Sequence, residues 1–356
     1  MSDKFRIDPG PLTSISAFYK WTVKPLHILS DLIREGNDVD IEWDLRSVEF
    51  KRINFAALAT FLSTAYRVRS YVSNTPLLLL VWNPRILGFL YDISFISIVK
   101  EFDICNFQEG MIGGFESGTI NPNTELIVFP YKDSPNYQLD ATAWQSWKDD
   151  QRMQITKVLL KKTSKIFDSR SNKTGLPNNS KNLIATSTAE LILNSILWGK
   201  STAFVGMQRS GKRISIVVAD SGQGFLRSLY DNTSKSKGIN ISTHSDALVF
   251  ASMTNNRDFG LKKVINMITE NGGWVEMSSY SSEIRWSSPS WGAANKSFEE
   301  VLGNSLDMPG LIEKVFETPI SNAKYEQKQK GYYRNWSRGI RGARISFELP
   351  LNQEKF

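Results

Sequence analysis

Three short runs in this chain have the residue types and spacing for chemistry on a nucleotide. In Ala189-Glu190-Leu191-Ile192-Leu193-Asn194-Ser195, Glu190 and Asn194 are four apart, so on a helix both project from one face. A carboxylate and a carboxamide on an apolar helix need polar partners. A metal–phosphate group with its waters would supply them: the Asn194 amide oxygen can bind Mg2+, and Glu190 can take a proton from a water. The bland alternative turns both side chains to solvent. The second run is Asp220-Ser221-Gly222-Gln223-Gly224-Phe225, directly after the β-rich Ile214–Ala219. An aspartate at a strand end can accept a hydrogen bond from an exocyclic amine, which selects adenine over guanine. Gly222 and Gly224 allow a turn and close approach to a ligand, with Phe225 beside them. The bland alternative is a plain glycine turn.

The third run, Asn255–Lys263, opens a helix that reaches about Thr269. A glycine at a helix start leaves N–H groups that suit a phosphate. Arg257, Gly260, Leu261 and Lys262 are the candidate cofactor contacts here, and Lys263 adds charge. An ordinary helix start is the alternative. Asn271-Gly272-Gly273 ends this helix, Trp274–Ser279 alternates like a strand, and Gly342–Pro350 reads as a closing strand. A decoy lies between: Gly206–Lys212 fits most of a phosphate-binding P-loop. Position 213 is Arg, not the Ser or Thr that would hold Mg2+, and a β-run follows where a P-loop opens a helix. Ser210-Gly211 is the turn of a hairpin instead.

These runs need elements to position them. The 356 residues suit two ordinary domains, and 41% hydrophobic with 22% charged residues is a globular balance. After a polar lead with Pro9-Gly10-Pro11, Val39–Leu45 and Val48–Phe50 are strand material, Ala56–Ser70 is a helix, Thr75–Trp82 a strand and Arg85–Lys100 a helix. With a strand at Glu125–Phe129, this rhythm predicts a small α/β domain over 1–140. Tyr131–Asp150 reads as a linker, Gln151–Phe167 as a helix and Asp168–Lys181 as a loop. The second domain, 141–356, holds the candidate site. Leu226–Met253 is expected to be a mobile cover ending in a helix at Asp246–Met253, and Ser281–Gly339 an insertion.

Composition excludes other chemistry. One cysteine forbids an internal disulfide, and Cys105, His27 and His244 are too few for a Cys/His zinc site. Cys105 reads as a small buried hydrophobe, His244 as part of the cover. Met1-Ser-Asp-Lys-Phe-Arg lacks the apolar core of a signal peptide, and no run reaches the roughly 20 apolar residues of a spanning helix, so no membrane and a cytoplasmic site are expected. The net charge of +7 permits an acidic partner without demanding one. Lys324–Arg344 interleaves basic residues with Tyr325, Tyr332, Tyr333 and Trp336, the composition of a single-strand nucleic-acid platform or of a solvated insertion.

In order, the runs resemble the GHKL family, the Bergerat ATP-binding fold of gyrase, Hsp90, histidine kinases and MutL. Glu190 and Asn194 match its N box, and Asp220, Gly222 and Gly224 its first glycine box. Gly260-Leu261 matches the end of its second, and Gly342–Pro350 its terminal strand. Asp258 stands where the second box has its first glycine, Phe259 adds bulk beside it, and Ala343 stands where a threonine is common. The resemblance implies a two-layer α/β sandwich with a mixed sheet, ATP and Mg2+ as cofactors, and an ATP-dependent switch acting on another protein. A Ser/Thr protein kinase and a non-catalytic nucleotide- or nucleic-acid-binding scaffold are the alternatives, and a homodimer stays open. No hairpin with a phosphoacceptor histidine precedes the domain, which argues against an ordinary histidine autokinase. Ile41–Ile104 resembles a STAS domain, although Lys51-Arg52-Ile53-Asn54-Phe55 has no hydroxyl where such domains carry a phosphorylated Ser or Thr.

Overall fold

Strand and helix alternate through the first hundred residues, and they build a parallel sheet. The computed structural model describes residues 3–49, 53–72, 77–81, 83–107, 123–131, 140–167, 178–211, 213–230, 241–254, 260–304, 310–315 and 332–350. Strands β1 (Asp3–Ile7), β2 (Val39–Asp44), β3 (Leu77–Leu80) and β4 (Asn106–Phe107) pair in that order, all parallel. The connections hold α1 (Ile15–Arg34), α2 (Phe55–Tyr71), α3 (Pro84–Asp92) and α4 (Phe95–Glu101). Each crossover steps one strand further in the same direction, and right-handed crossovers then place these helices on one face.

Three details differ from the sequence reading. The polar lead contains β1 and α1, a helix capped by the Ser14 hydroxyl on the Ala17 N–H (3.0 Å). Val48 lies beyond β2, after a 3-10 turn at Leu45–Ser47. The helix expected over Arg85–Lys100 is two, because Ser94 takes φ 66° and its hydroxyl donates to Glu125 (3.2 Å).

The second sheet has the order β5 (Thr124–Phe129), β6 (Ala203–Ser210), β7 (Arg213–Asp220), β9 (Tyr332–Pro350), β8 (Trp274–Ser287). Every pairing in it is antiparallel, which corrects the expected mixed sheet. Strand β5, grouped by sequence with the first domain, pairs with β6 and belongs here. Strands β6 and β7 form the expected hairpin, with Ser210 opposite Arg213 and Gly211 at φ 53°. Arg209, from the decoy run, donates to the carbonyls of Ile166 and Phe167 (3.1 and 3.2 Å).

Strand alternation decides what covers this sheet. On β7, Ile214, Ile216 and Val218 join the core beneath α5 (Ala141–Lys162) and α7 (Asn178–Leu197), while Val217 and Ala219 meet Ala59 of α2. Helix α5 begins inside the stretch read as a linker. The short α6 (Ser164–Phe167) follows it. Helix α2 is therefore buried between the two sheets. Its hydroxyls are satisfied within the helix: Thr60 donates to Ala56 O (2.7 Å), and Ser63 and Thr64 donate to Thr60 O (2.9 and 2.7 Å). Strand β6 meets it at Gly206, where a Cβ would lie 3.4 Å from Phe55 O. The antiparallel sheet is thus covered on both faces, by α2 and by the helices of its own half, rather than on one.

The remaining elements are α8 (Gly224–Leu229), α9 (His244–Met253), α10 (Leu261–Glu270), α11 (Ser288–Asn304) and α12 (Leu311–Val315). The expected insertion starts and ends as strand: β8 and β9 stay paired from Trp274↔Glu348 to Arg285↔Tyr332, with a bulge around Tyr280. No helix among the described residues is long and apolar enough to cross a membrane.

A buried polar seam joins α1 to β8 and β9. Arg344 is fully buried and donates to the Tyr19 hydroxyl (2.8 Å), Ile340 O (2.9 Å) and Arg341 O (3.0 Å). Trp336 stacks on Tyr19 at 4.6 Å. Glu283 lies buried nearby, among Glu276, Tyr332, Arg285, Arg334 and Tyr19. Burial pushes its carboxyl up to about 8; Glu276 adds to the rise, and Arg334, Tyr332 and Arg285 oppose it. A carboxyl with a raised folded pKa binds its proton more tightly in the fold than in the unfolded chain. The stability this confers is full below about 4.5, the ordinary value, and is lost as pH rises through about 8. Glu283→Gln is expected to flatten that decline, read from urea midpoints across the window. An unchanged slope would contradict it.

Candidate functional site

The glycine-rich turn after β7 is where segments far apart in sequence meet. Strand β7 is central in its sheet, so its last residue, Asp220, is only 3% exposed. Asp220 Oδ1 accepts from the N–H of Gly222 (2.9 Å) and of Ala343 on β9 (3.2 Å). Burial pushes the Asp220 carboxyl up; those two N–H groups, the Arg344 charge and the Ser195 hydroxyl on α7 pull it back. The carboxylate is thus fixed from the turn and the neighbouring strand, with Ser195 of α7 lining the same recess.

The glycines permit this convergence by steric necessity. A Cβ on Gly222 would lie 1.9 Å from Gly199 O, one on Gly224 (φ 74°) 2.7 Å from Ser279 Oγ, and one on Gly342 (φ 106°) 2.0 Å from Asp220 O. The Gln223 amide and the Ser228 hydroxyl both donate to Trp198 O (2.8 Å each), tying the turn to the end of α7. The Phe225 N–H donates to Ser279 Oγ (3.1 Å). Between turn, strand and α7 lies a recess of about 30 Å3, lined by Leu191, Asn194, Trp198, Asp220, Phe225 and Ile345 among others. It has room for about one water. Its walls are apolar and its polar groups few, the composition of a site for a flat base, but a purine fits only if the recess widens.

Glu190 lies one helical turn away on α7 and looks into a second space, a cleft of about 640 Å3 among α5, α7 and α10. Its Oε2 accepts from Arg152 Nε at 2.6 Å, and Arg152 also pairs with Asp149. Its Oε1 sits against Gly260, where a Cβ would come within 2.2 Å. Gly260, at φ 54°, starts α10 without a side-chain cap, so the Glu190 carboxylate faces that helix N-terminus. Glu190 therefore clasps three helices together. A carboxylate held this way has both oxygens engaged, one by Arg152 and one against the start of α10, and neither is presented to a water.

The other expected site residues divide. Asn194 lines the recess, on the same helix face as Glu190. Leu261 is core, 1% exposed, and supports the site only by packing α10. Lys263 lines the Glu190 cleft, whereas Lys262 is not among its walls. Arg257, with Asp258 and Phe259, lies outside the described residues. The cover was expected over 226–253, ending in a helix at Asp246–Met253, and α9 is that helix. Leu226–Leu229 belong to α8, and Ser245–Met253 of α9 are all buried, with Asp246 accepting from the Ile312 N–H (2.9 Å). Residues 231–240 lie outside the described residues. His244 stacks on Tyr280 at 4.6 Å. The aromatic platform read in Lys324–Arg344 is committed elsewhere: Tyr332 donates to Glu276 (2.9 Å), Tyr333 is buried, and Trp336 stacks on Tyr19. Tyr325 lies outside the described residues.

Among the described residues no cluster of three or more His, Cys, Asp or Glu could hold a metal ion. A metal here would depend on Asn194 and on the oxygens of a phosphate chain. Sequence reasoning missed Arg152 and Ser195. Arg152 was legible only as a cation three residues after Asp149, and Ser195 as the neighbour of Asn194. The chain matches no protein-family model and no curated protein.

Proposed function

We propose that the chain is an ATP-binding regulatory switch of the GHKL type, with slow Mg2+-dependent ATP hydrolysis coupled to binding of another protein. The observation that supports it most is the Asp220 carboxylate. It closes a small, mostly apolar recess at a strand end and is fixed by two backbone N–H groups. The exocyclic amine of adenine would donate to it, and a guanine carbonyl would be repelled there. The Glu190–Asn194 face and the Gly260 helix start supply the phosphate side. Mg2+ would neutralise phosphate charge, with the Asn194 amide as its protein ligand. Glu190 would activate water once it leaves Arg152, and the need to break that contact first keeps turnover slow. The first unit, cytoplasmic with the rest, is the output side, because α2 packs on the back of the strands that carry the site.

Titrating ATP and GTP in the presence of Mg2+ tests this reading. ATP is expected to bind at least about 100-fold more tightly, since a buried carboxylate facing a carbonyl leaves both unpaired. Phosphate release is expected to rise in Arg152→Ala and to vanish in Glu190→Ala. Equal affinity for the two nucleotides would contradict the adenine anchor. Transfer of phosphate to a protein partner would replace hydrolysis by kinase activity on the same pocket.

A further inference from the structure

A third space, of about 350 Å3, lies between α1, α2 and the bulged part of the β8–β9 pair. Its walls are apolar, from Leu26 and Ile33 on α1, Val68 on α2 and Ile340 on β9, and two cations stand in them, Arg67 and Arg341. No acidic side chain is among its walls. A concave space of this size with few polar groups, open to solvent beside Ser30, Tyr71 and Arg341, is the usual form of a small-molecule site.

Arg67 is the decisive residue. Its guanidinium lies 4.5 Å over the Tyr71 ring and donates to the Tyr71 hydroxyl, which fixes its plane. Its Nε is buried and has no hydrogen-bond partner. That N–H is closed off from the cavity, but Arg67 is among the cavity's walls, and the partner that suits its charge best is an anion. Among the described residues neither Arg67 nor Arg341 forms an ion pair. Apolar walls with Arg67 inside, Arg341 exposed at the rim and no acid beside them suit a ligand with an apolar body and one anionic end.

We propose that this cavity binds a small free amphipathic anion, a medium-chain carboxylate in type, with its alkyl body against Leu26, Ile33, Val68 and Ile340 and its anionic group on Arg67 and Arg341. The site also touches the glycine turn. Arg341 Nε donates to Gly222 O (3.2 Å), two residues from Asp220, so an anion that draws Arg341 towards itself loosens the turn. That coupling, unlike the site itself, rests on the nucleotide reading.

Isothermal titration of the full chain with octanoate, octanol and octylammonium tests the proposal. Octanoate is expected to bind saturably at one site, about tenfold or more tightly than octanol, with octylammonium weakest. Arg67→Met keeps the aliphatic stem and removes the charge, and should bring octanoate down to the level of octanol. Ser30→Trp, at the exposed mouth, should block both while leaving the urea midpoint unchanged. No saturable octanoate binding, octanol binding as tight as octanoate, or an Arg67→Met protein that binds octanoate like the wild type would each overturn the proposal. The titrations contain no nucleotide. A protein that takes octanoate and not ATP keeps this site and loses the nucleotide reading, and one that takes ATP and not octanoate does the reverse.

Discussion

Gly342→Ala is expected to lower the unfolding free energy by about 3 kcal/mol or more, the range of a side chain forced against backbone at a strained position. Gly342 has φ 106°, where an alanine is strained whatever the space, and its Cβ would lie 2.0 Å from Asp220 O and 2.7 Å from Ser221 Cα. Both obstacles are backbone, so no rotamer change relieves them. The strand must move away from the turn, and the Ala343 N–H then leaves the Asp220 carboxylate. Gly36→Ala is the internal control. Gly36 also has positive φ, 81°, but nothing lies within 4 Å of its Cβ position. Its cost should be the backbone term alone, about 1 kcal/mol. Urea denaturation of the two variants separates the effects, and equal losses would mean that the close approach of Gly342 to the turn carries no weight.

The turn was legible in the sequence because it uses residue types that few other structures need together: an aspartate ending an apolar strand, then two glycines two apart. Glu190 and Asn194 were legible through helical spacing alone. What spacing cannot show is competition for a side chain. Arg152 lies in a polar stretch whose helix has little apolar contrast between faces, and nothing local marks it as the partner of a carboxylate 38 residues on. The burial of α9 was hidden for a similar reason. Its segment follows a run rich in Ser, Asn and Lys, and composition averaged over that window reads as a cover, although Ala247–Phe250 is an apolar run that packs into the core. Helix α1 carries Pro25, Lys20 and Lys24 inside it, which masks the face made by Ile15, Phe18, Tyr19, Thr22 and Leu29. Strand β5 was recognised as a strand, but its sheet was not. A strand this short has no information about whether its partner lies among the preceding strands or, as with Phe129 opposite Ala203, far along the chain.

The partition of the chain follows from the same facts. Two sheets share α2, and Arg344 ties the strand beside Asp220 to Tyr19 of α1. A ligand that reshapes the turn at Asp220 would therefore act on a strand that the first unit already grips. Coupling of this kind needs a differential contact in two states, and the nucleotide would supply it by widening the recess beside Phe225.

The central claim stands or falls on Asp220. Asp220→Asn keeps the size of the side chain and an oxygen for the Gly222 and Ala343 N–H groups, so the fold is expected to hold. It replaces a carboxylate oxygen with an NH2 that faces the adenine amine, donor against donor. The loss expected is about 100-fold or more in ATP affinity, the cost of one charge-assisted hydrogen bond together with an unpaired buried donor. The measurement is equilibrium titration of wild type and Asp220→Asn with Mg-ATP, beside urea midpoints that show both proteins folded. ATP binding by the wild type and its loss in a folded Asp220→Asn protein is the predicted result. A folded variant that binds ATP as tightly as the wild type, or a wild type that binds none, would contradict the account.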